Sequence, residues 1–263
     1  NRGRNFGILR AMDNLGAVFA IVTCLTWLGI FGLDALRTLF LLASLPSFIG
    51  ATLIFIFIQD RKTSQLYRGL ALKDLTFNFR LFLLLSSVFA LGSFSYSFLL
   101  VYLQDPSLRI TTLPLFLIQA LFYLIFTVAA SVMSFPFGWL ADKVGRRAVL
   151  ILSFVFWGLV CLGFTYANSL LFFGLLFVVY GLHKAAIEPV QKALVSELSP
   201  VDYRASTLGA FQMIIGLFAF PASFLAGLLW TSFGKSTPFH FSLVMTTVAT
   251  ILLFFIKENR KAA

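Results

Sequence analysis

Charge is scarce in this sequence. Asp, Glu, Lys and Arg together make up 11% of its 263 residues, and only ten residues are acidic, whereas an ordinary soluble domain carries about 25% charge. Two histidines and two cysteines complete the short inventory of reactive side chains. No H-E-x-x-H, G-x-S-x-G or CxxC pattern is present, so the sequence offers neither a metal-ligand cluster nor an activated nucleophile. His183 and His240 fall on opposite sides of the bilayer in the topology derived below, which leaves no constellation for enzymatic chemistry and calls for no cofactor. Cys24 and Cys161 both lie in apolar runs, where cysteine behaves as a small hydrophobe, and imply no disulfide framework.

What the sequence has instead is apolar length. Hydrophobic residues make up 60% of it, and the mean hydropathy of +0.95 is that of an integral membrane protein. The net charge of +10 does not point to nucleic acid, because the basic residues sit between apolar runs and face the anionic lipid surface. A hydrocarbon core about 30 Å thick needs about 20 residues of helix. Runs of that length occur at 14–33, 38–58, 81–103, 112–137, 148–166, 170–190, 206–231 and 238–256. They are continuous rather than alternating, and lipid offers no partner to an open backbone, so each is expected to be a helix and the fold all-α.

Basic residues orient the spans. With the N-terminus inside, Arg2, Arg4, Arg10, Arg61, Lys62, Arg68, Lys73, Arg80, Lys143, Arg146, Arg147, Lys184, Lys192, Arg204, Lys257, Arg260 and Lys261 fall on the inner side, although Lys184 is intrahelical and counts for less. Only Arg37, Arg109 and Lys235 fall outside, so both ends are expected in the cytoplasm, with the protein in the plasma (inner) membrane. The longest connection, 59–80, carries five of these basic residues and reads as a joint between two helices before it (1–58) and six after it (81–263).

Within that topology GWLADKVGRRAVL (138–150) forms a compact charged connection between two spans. Gly138, Leu140, Ala141, Asp142, Lys143, Gly145, Arg146 and Arg147 resemble the G-x-L-A-D-[RK]-x-G-[RK]-[RK] loop of the major facilitator superfamily, which joins the second and third helices of a six-helix half. Here it joins the second and third spans after the joint. Gly138 suits close helix approach, Gly145 a positive-φ turn, and Asp142 the positive N-terminal end of a neighbouring helix. Arg146 and Arg147 hold the next helix to the inner surface. Such a connection is either a latch between two bundles or a plain positive-inside hairpin.

The resemblance implies two repeated halves. RGRNFGILR (2–10) and RASTLGAFQ (204–212) align in register through Arg2 with Arg204 and Gly7 with Gly209, immediately before spans one and seven. On that alignment the chain corresponds to helices five to twelve of a twelve-helix transporter, and its start at Asn1 is expected to be a truncation. RAMDNLGA (10–17), GLHKAAIEPVQKALVSELSP (181–200) and FAFPASFLAGLLW (218–230) carry further likeness. One departure is Ala20-Ile21, where many antiporters of the family have Gly-Pro in the fifth helix.

Ionisable groups inside hydrocarbon are functional candidates, because each costs at least about 2.5 to 3.5 kcal/mol. Tyr180, Lys184 and Glu188 share one face of the sixth span, with Glu188 near the interface. Glu188 is read as a latch residue pairing with Lys184, Arg146 or Lys192, as a snorkelling headgroup contact, or as a proton carrier. His183, one residue off that face, reads as a packing residue. Arg10 and Asp13 stand at i, i+3 by the mouth of span one, where Asp13 is either a helix cap or local pair, or a partner of the latch facing Asp142. Midplane polar residues Ser93, Tyr96, Gln119, Tyr123 and Tyr180, with Lys184, are candidate lining for a solute cavity or ordinary interhelical ties. Ala219, Ser223 and Gly227 read as a packing stripe around Pro221, and the 33 phenylalanines as lipid-facing and interhelical filler.

The resemblance therefore implies a secondary transporter that works as a monomer. It moves a small, weakly polar solute by alternating access, coupled to a proton, with efflux favoured over uptake. A non-transporting receptor or scaffold, or an eight-helix protein of another family, is the alternative.

Overall fold

The computed structural model describes residues 1–57, 75–104, 114–200 and 203–256, and every regular element among them is helical. The helices are α1 (Arg2–Phe31), α2 (Leu36–Phe57), α3 (Phe77–Gly92), α4 (Tyr96–Tyr102), α5 (Leu115–Val144), α6 (Arg146–Tyr166), α7 (Leu170–Leu198), α8 (Arg204–Phe233) and α9 (Thr237–Phe254). With α3 and α4 taken together they form eight segments long and apolar enough to cross a membrane, the all-α architecture expected. Most of the joint at 59–80 lies outside the described residues, including Arg61, Lys62, Arg68 and Lys73, as do Arg109, Lys257, Arg260 and Lys261.

Several helices overrun the spans read from hydropathy. α1 begins at Arg2 rather than at 14, α5 runs to Val144 rather than to 137, and α7 to Leu198 rather than to 190. α1, α5 and α8 have 30 residues each, about 45 Å of helix against a core of about 30 Å. Hydropathy sees only the apolar part of a helix, so the polar turns that project beyond it read as loop. The two aligned nonapeptides, at 2–10 and 204–212, therefore open two helices of equal length.

The opposite correction applies to span three, which is two helices. The N–H of Ser93 bonds back to the Ala90 carbonyl at 3.2 Å and ends α3, and the Ser95 hydroxyl accepts from the N–H of Ser97 at 3.3 Å and starts α4. Serine hydroxyls that compete for backbone groups favour such breaks. A Cβ on the adjoining Gly92 would lie 2.5 Å from that of Met245 in α9, so the break also sits at a close packing point.

The chain divides into two compact units, Val18–Gly69 and Asn1–Ala17 with Leu70–Ala263. In the smaller unit Gly32, at a φ of +74°, turns the chain after α1, and Trp27 packs at a tilt against Phe31 with ring centroids 4.4 Å apart. The Trp27 indole N–H donates to the Ala35 carbonyl at 3.3 Å. α2 is apolar on all sides and buries none of its residues, the pattern of a helix whose surroundings are themselves apolar.

In the larger unit the core lies among α3, α5, α6, α7 and α9, and phenylalanine fills it. Phe122 stacks on Phe177 at 4.8 Å, Phe89 on Phe154 at 4.5 Å, and Phe164 on Phe239 at 5.5 Å. α5 and α7 approach closely at Gly181, where a Cβ would meet the Phe126 carbonyl oxygen at 2.5 Å. Of the small residues in α8, Ala222 and Ala226 are the buried pair, while nothing approaches Gly227. The packing stripe is therefore one residue round the helix from the expected Ala219, Ser223 and Gly227.

Polar ties between helices are few and buried. The Trp157 indole N–H donates to the Ser242 hydroxyl at 2.7 Å, and His183 Nδ1 lies 2.9 Å from the Ser153 carbonyl oxygen and 3.0 Å from its hydroxyl. His183 is thus a packing residue of the α6–α7 seam, ringed by Phe89, Trp157 and Tyr180. A Trp157→Phe, Ser242→Ala double-mutant cycle, read by thermal unfolding in detergent, should give a coupling of about 0.6 to 1.7 kcal/mol, the range for interhelical hydrogen bonds in membranes. Zero coupling would mean that the bond is replaced on mutation.

Candidate functional site

The beginning of a helix leaves its first N–H groups without intrahelical partners and carries about half a positive charge. At α1 those groups meet a carboxylate from another helix. Asp142, in the last turn of α5, accepts from the N–H of Gly3 at 3.0 Å with Oδ1 and from that of Arg4 at 2.8 Å with Oδ2. The start of α1 is thus capped by α5, the meeting expected for Asp142.

Glycine makes the approach possible. A Cβ on Gly138 would collide with the Gly3 carbonyl and lie 3.1 Å from the Cα of Gly7, while one on Gly7 would lie 2.6 Å from the Ser134 carbonyl oxygen. Farther along, the Ser131 hydroxyl donates to the Ala11 carbonyl at 2.9 Å. Residues 3, 7 and 11 meet 138, 134 and 131 in turn, so α1 runs antiparallel to α5 through this seam. Arg2 ties the same end to α7, its Nη1 donating to the Ser196 carbonyl at 2.7 Å.

The expected turn at 138–150 is almost wholly helix. Only Gly145, at a φ of +111°, separates α5 from α6, and Arg146 already belongs to α6. One residue therefore reverses the chain, which a side chain at that φ would resist. Arg146 reaches back to Asp142 (3.0 Å) and across to Glu197 at the end of α7 (2.8 Å). Arg147 faces the end of α9, with Nη1 3.4 Å from the Ile256 carbonyl oxygen and its guanidinium 5.0 Å from the centroid of the Phe254 ring. These contacts bring the start of α1 and α6 and the ends of α5, α7 and α9 to one end of the unit.

Sequence reading missed Glu197. A carboxylate in the last turn of a helix opposes the helix dipole, so its position in SELSP already called for a cation. Which cation depends on helix packing.

A second ionic group lies about two to four turns deeper. Arg10 bridges Asp13 on its own helix and Glu188 on α7, and Lys184 Nζ lies 3.2 Å from Glu188 Oε1. Of the three partners expected for Glu188, Lys184 is present, while Arg146 is engaged by Asp142 and Glu197. Lys192 makes no ion pair among the described residues, but it lines a pocket of about 280 Å³ with Phe6, Leu9, Arg10, Asp13, Glu188 and Pro189. Asp13 stands ten residues beyond Gly3, about 15 Å along α1, so it neither caps the helix nor faces Asp142. At 63% exposure it is a local partner of Arg10.

Beyond Lys184, away from this end, lies the aromatic group. Tyr96 packs on Tyr123 at 5.3 Å and on Phe126 at 5.7 Å, and Phe126 meets Tyr180 edge-on at 5.1 Å. Four rings from α4, α5 and α7 thus pack as one group, with Phe126 and Tyr180 buried within it and Tyr96 exposed at its edge, and with Lys184 and Glu188 following Tyr180 on the same face of α7. Gln119 is engaged elsewhere, its Nε2 donating to the Leu100 carbonyl at 3.2 Å. Ser93 ends α3 at the break, its N–H bonded to the Ala90 carbonyl.

Eight apolar helical segments with a glycine-seamed, ion-paired end define a polytopic all-α membrane protein. Residues 82–263 match the Major Facilitator Superfamily, and the chain belongs to that family. It is 33% identical over 258 residues to the uncharacterized MFS-type transporter MJ1317 of Methanocaldococcus jannaschii, an alignment that covers 97% of this chain and 64% of that protein. It is 26% identical over 134 residues to the cis,cis-muconate transport protein of Acinetobacter baylyi, covering 51% of the chain and 32% of that protein. The chain thus spans less than two thirds of the length of these relatives.

The glycine seam has a direct test. Gly138→Val should lower the unfolding temperature in detergent and cost about 1 to 3 kcal/mol, the usual penalty of overpacking. Gly16→Ala, at a helical glycine with nothing within 4 Å, should instead stabilise by about 0.5 to 1 kcal/mol. Equal responses from the two variants would show that the approach of α1 to α5 is loose.

Proposed function

We propose that this chain works in a secondary transporter that moves a small organic solute across the plasma membrane by alternating access. In this reading residues 1–58 are the last two helices of one half, 59–80 the joint, and 81–263 the other half. The capping of α1 by Asp142 is the latch between the halves, and it is the single observation that carries the proposal. Among the described residues, polar contacts from residues 1–17 to the later helices gather toward one end, among them Gly3 and Arg4 with Asp142, Arg2 with Ser196, Ser131 with Ala11, and Arg10 with Glu188. A bundle closed at one end by short-range polar contacts is what rocking between two states requires.

The names of the relatives, MFS-type transporter and cis,cis-muconate transport protein, support the same reading. The excess of basic residues near this end supports its facing the cytoplasm. Glu188, held between Arg10 and Lys184, is the proposed coupling group: a proton on it would release Arg10 and with it α1.

Cross-linking tests the latch without knowledge of the solute. With Cys24 and Cys161 replaced, Ala11→Cys and Ser131→Cys should form a disulfide readily, since their residues are hydrogen-bonded across the seam. Adding Asp142→Asn should lower the rate of cross-linking about fivefold, the effect of about 1 kcal/mol. An unchanged rate would remove Asp142 from the latch.

A further inference from the structure

The sequence suggests a weakly polar solute for the aromatic group, but on its side toward Lys184 the structure sets hydrogen-bond donors and cations with fewer acceptors than donors. Arg10 and Lys184 share one carboxylate, that of Glu188, between them. Arg10 is also met by Asp13, but Asp13 is 63% exposed and its charge is largely solvated. Lys192 adds a third cation to the pocket beside them. Arg10, Lys184 and Lys192 against Asp13 and Glu188 leave one positive charge in excess.

A fourth donor comes from a residue that sequence reading passed over. Asn14 lies one turn beyond Arg10 on α1, is 8% exposed, and its side-chain Nδ2 is buried without a hydrogen-bond partner among the described residues. A buried donor left unpaired costs about 1 to 3 kcal/mol. The antiparallel register of α1 on α5 carries residue 14 to about the level of Thr127, whose hydroxyl donates to the Tyr123 carbonyl one turn away at 2.6 Å. Arg10 itself is joined through Glu188 to Lys184, which lies one turn from Tyr180 on α7. The cations, the unpaired amide and the ring surface of Tyr96, Tyr123, Phe126 and Tyr180 therefore adjoin one another.

We infer that this region binds a small planar organic anion, a monocarboxylate whose unsaturated or aromatic body lies against the rings and whose carboxylate is received by Lys184, with Arg10 and Asn14 beside it. The net positive charge disfavours an amine, and a neutral solute would leave the excess charge unmatched. A dianion or polyanion would exceed the single surplus charge. Glu188 competes with the solute for Lys184, so it tunes affinity rather than contributing to it. The inference rests on the transporter reading only in taking the ring surface as the solute site.

The test compares three molecules that share a ring and differ in charge, benzoate, benzamide and benzylamine. Each is titrated into the purified chain in lipid nanodiscs at pH 7 and followed by calorimetry. Benzoate should bind at least about tenfold more tightly than benzamide, the scale of one charge-assisted contact, and benzylamine should not bind. Lys184→Gln should bring benzoate down to the level of benzamide without changing benzamide, whereas Glu188→Gln should tighten benzoate severalfold. Absent benzoate binding, a preference for benzamide or benzylamine, or weaker benzoate binding in Glu188→Gln would each overturn the inference. The cross-linking response to Asp142→Asn is read without any solute, so failure of the anion site and failure of the latch are separate outcomes.

Discussion

The carboxylate of Asp142 against the open amides of α1 is the interaction on which the charged end depends. Attraction of a carboxylate to a helix start falls off within the first turn. It therefore needs close approach, and close approach is what Gly3, Gly7 and Gly138 supply. The same steepness suits a latch: a shift of α1 by a few ångströms would forfeit both hydrogen bonds together. Arg146 completes the arrangement by joining Asp142 to Glu197, so that two carboxylates that would otherwise stand among backbone groups share one cation.

Away from that end, what orders the helices is not hydrophobicity. Lipid tails are as apolar as leucine, so helix association in a membrane rests on close packing and a few polar ties. The larger unit shows both. Gly181 admits the backbone of α5, Gly92 admits Met245, and stacked rings fill the remaining space. Ser153 with His183 and Trp157 with Ser242 pin helix pairs at single depths. These buried ties satisfy their own donors, which sets them apart from the under-satisfied group around Arg10, Lys184 and Asn14.

Much of this was legible in the residues. The eight helical spans, the meeting of Asp142 with the first amides of α1 and the positive φ of Gly145 follow from hydropathy, charge and backbone sterics. Each is a property of a residue and its chain neighbours. Errors arose where a local pattern had two structural outcomes. A polar turn beyond a span can be loop or projecting helix, and at 2–13, 138–144 and 191–198 it is helix. An apolar run with two serines can be one helix or two, and at 93–95 it breaks. The small residues of α8 could pack on either of two adjacent stripes, and the one bearing Ala222 and Ala226 is buried.

By itself the sequence determined a helical membrane protein and its eight spans, because a bilayer imposes length and polarity on every segment separately. Tertiary structure alone decided partners: Arg10 rather than Arg146 for Glu188, Arg146 for Glu197, and, among the described residues, none for the amide nitrogen of Asn14. Partner choice depends on which turn of one helix lies beside which turn of another. That register is set by glycine contacts and ring packing between residues more than a hundred positions apart, and no local pattern records it.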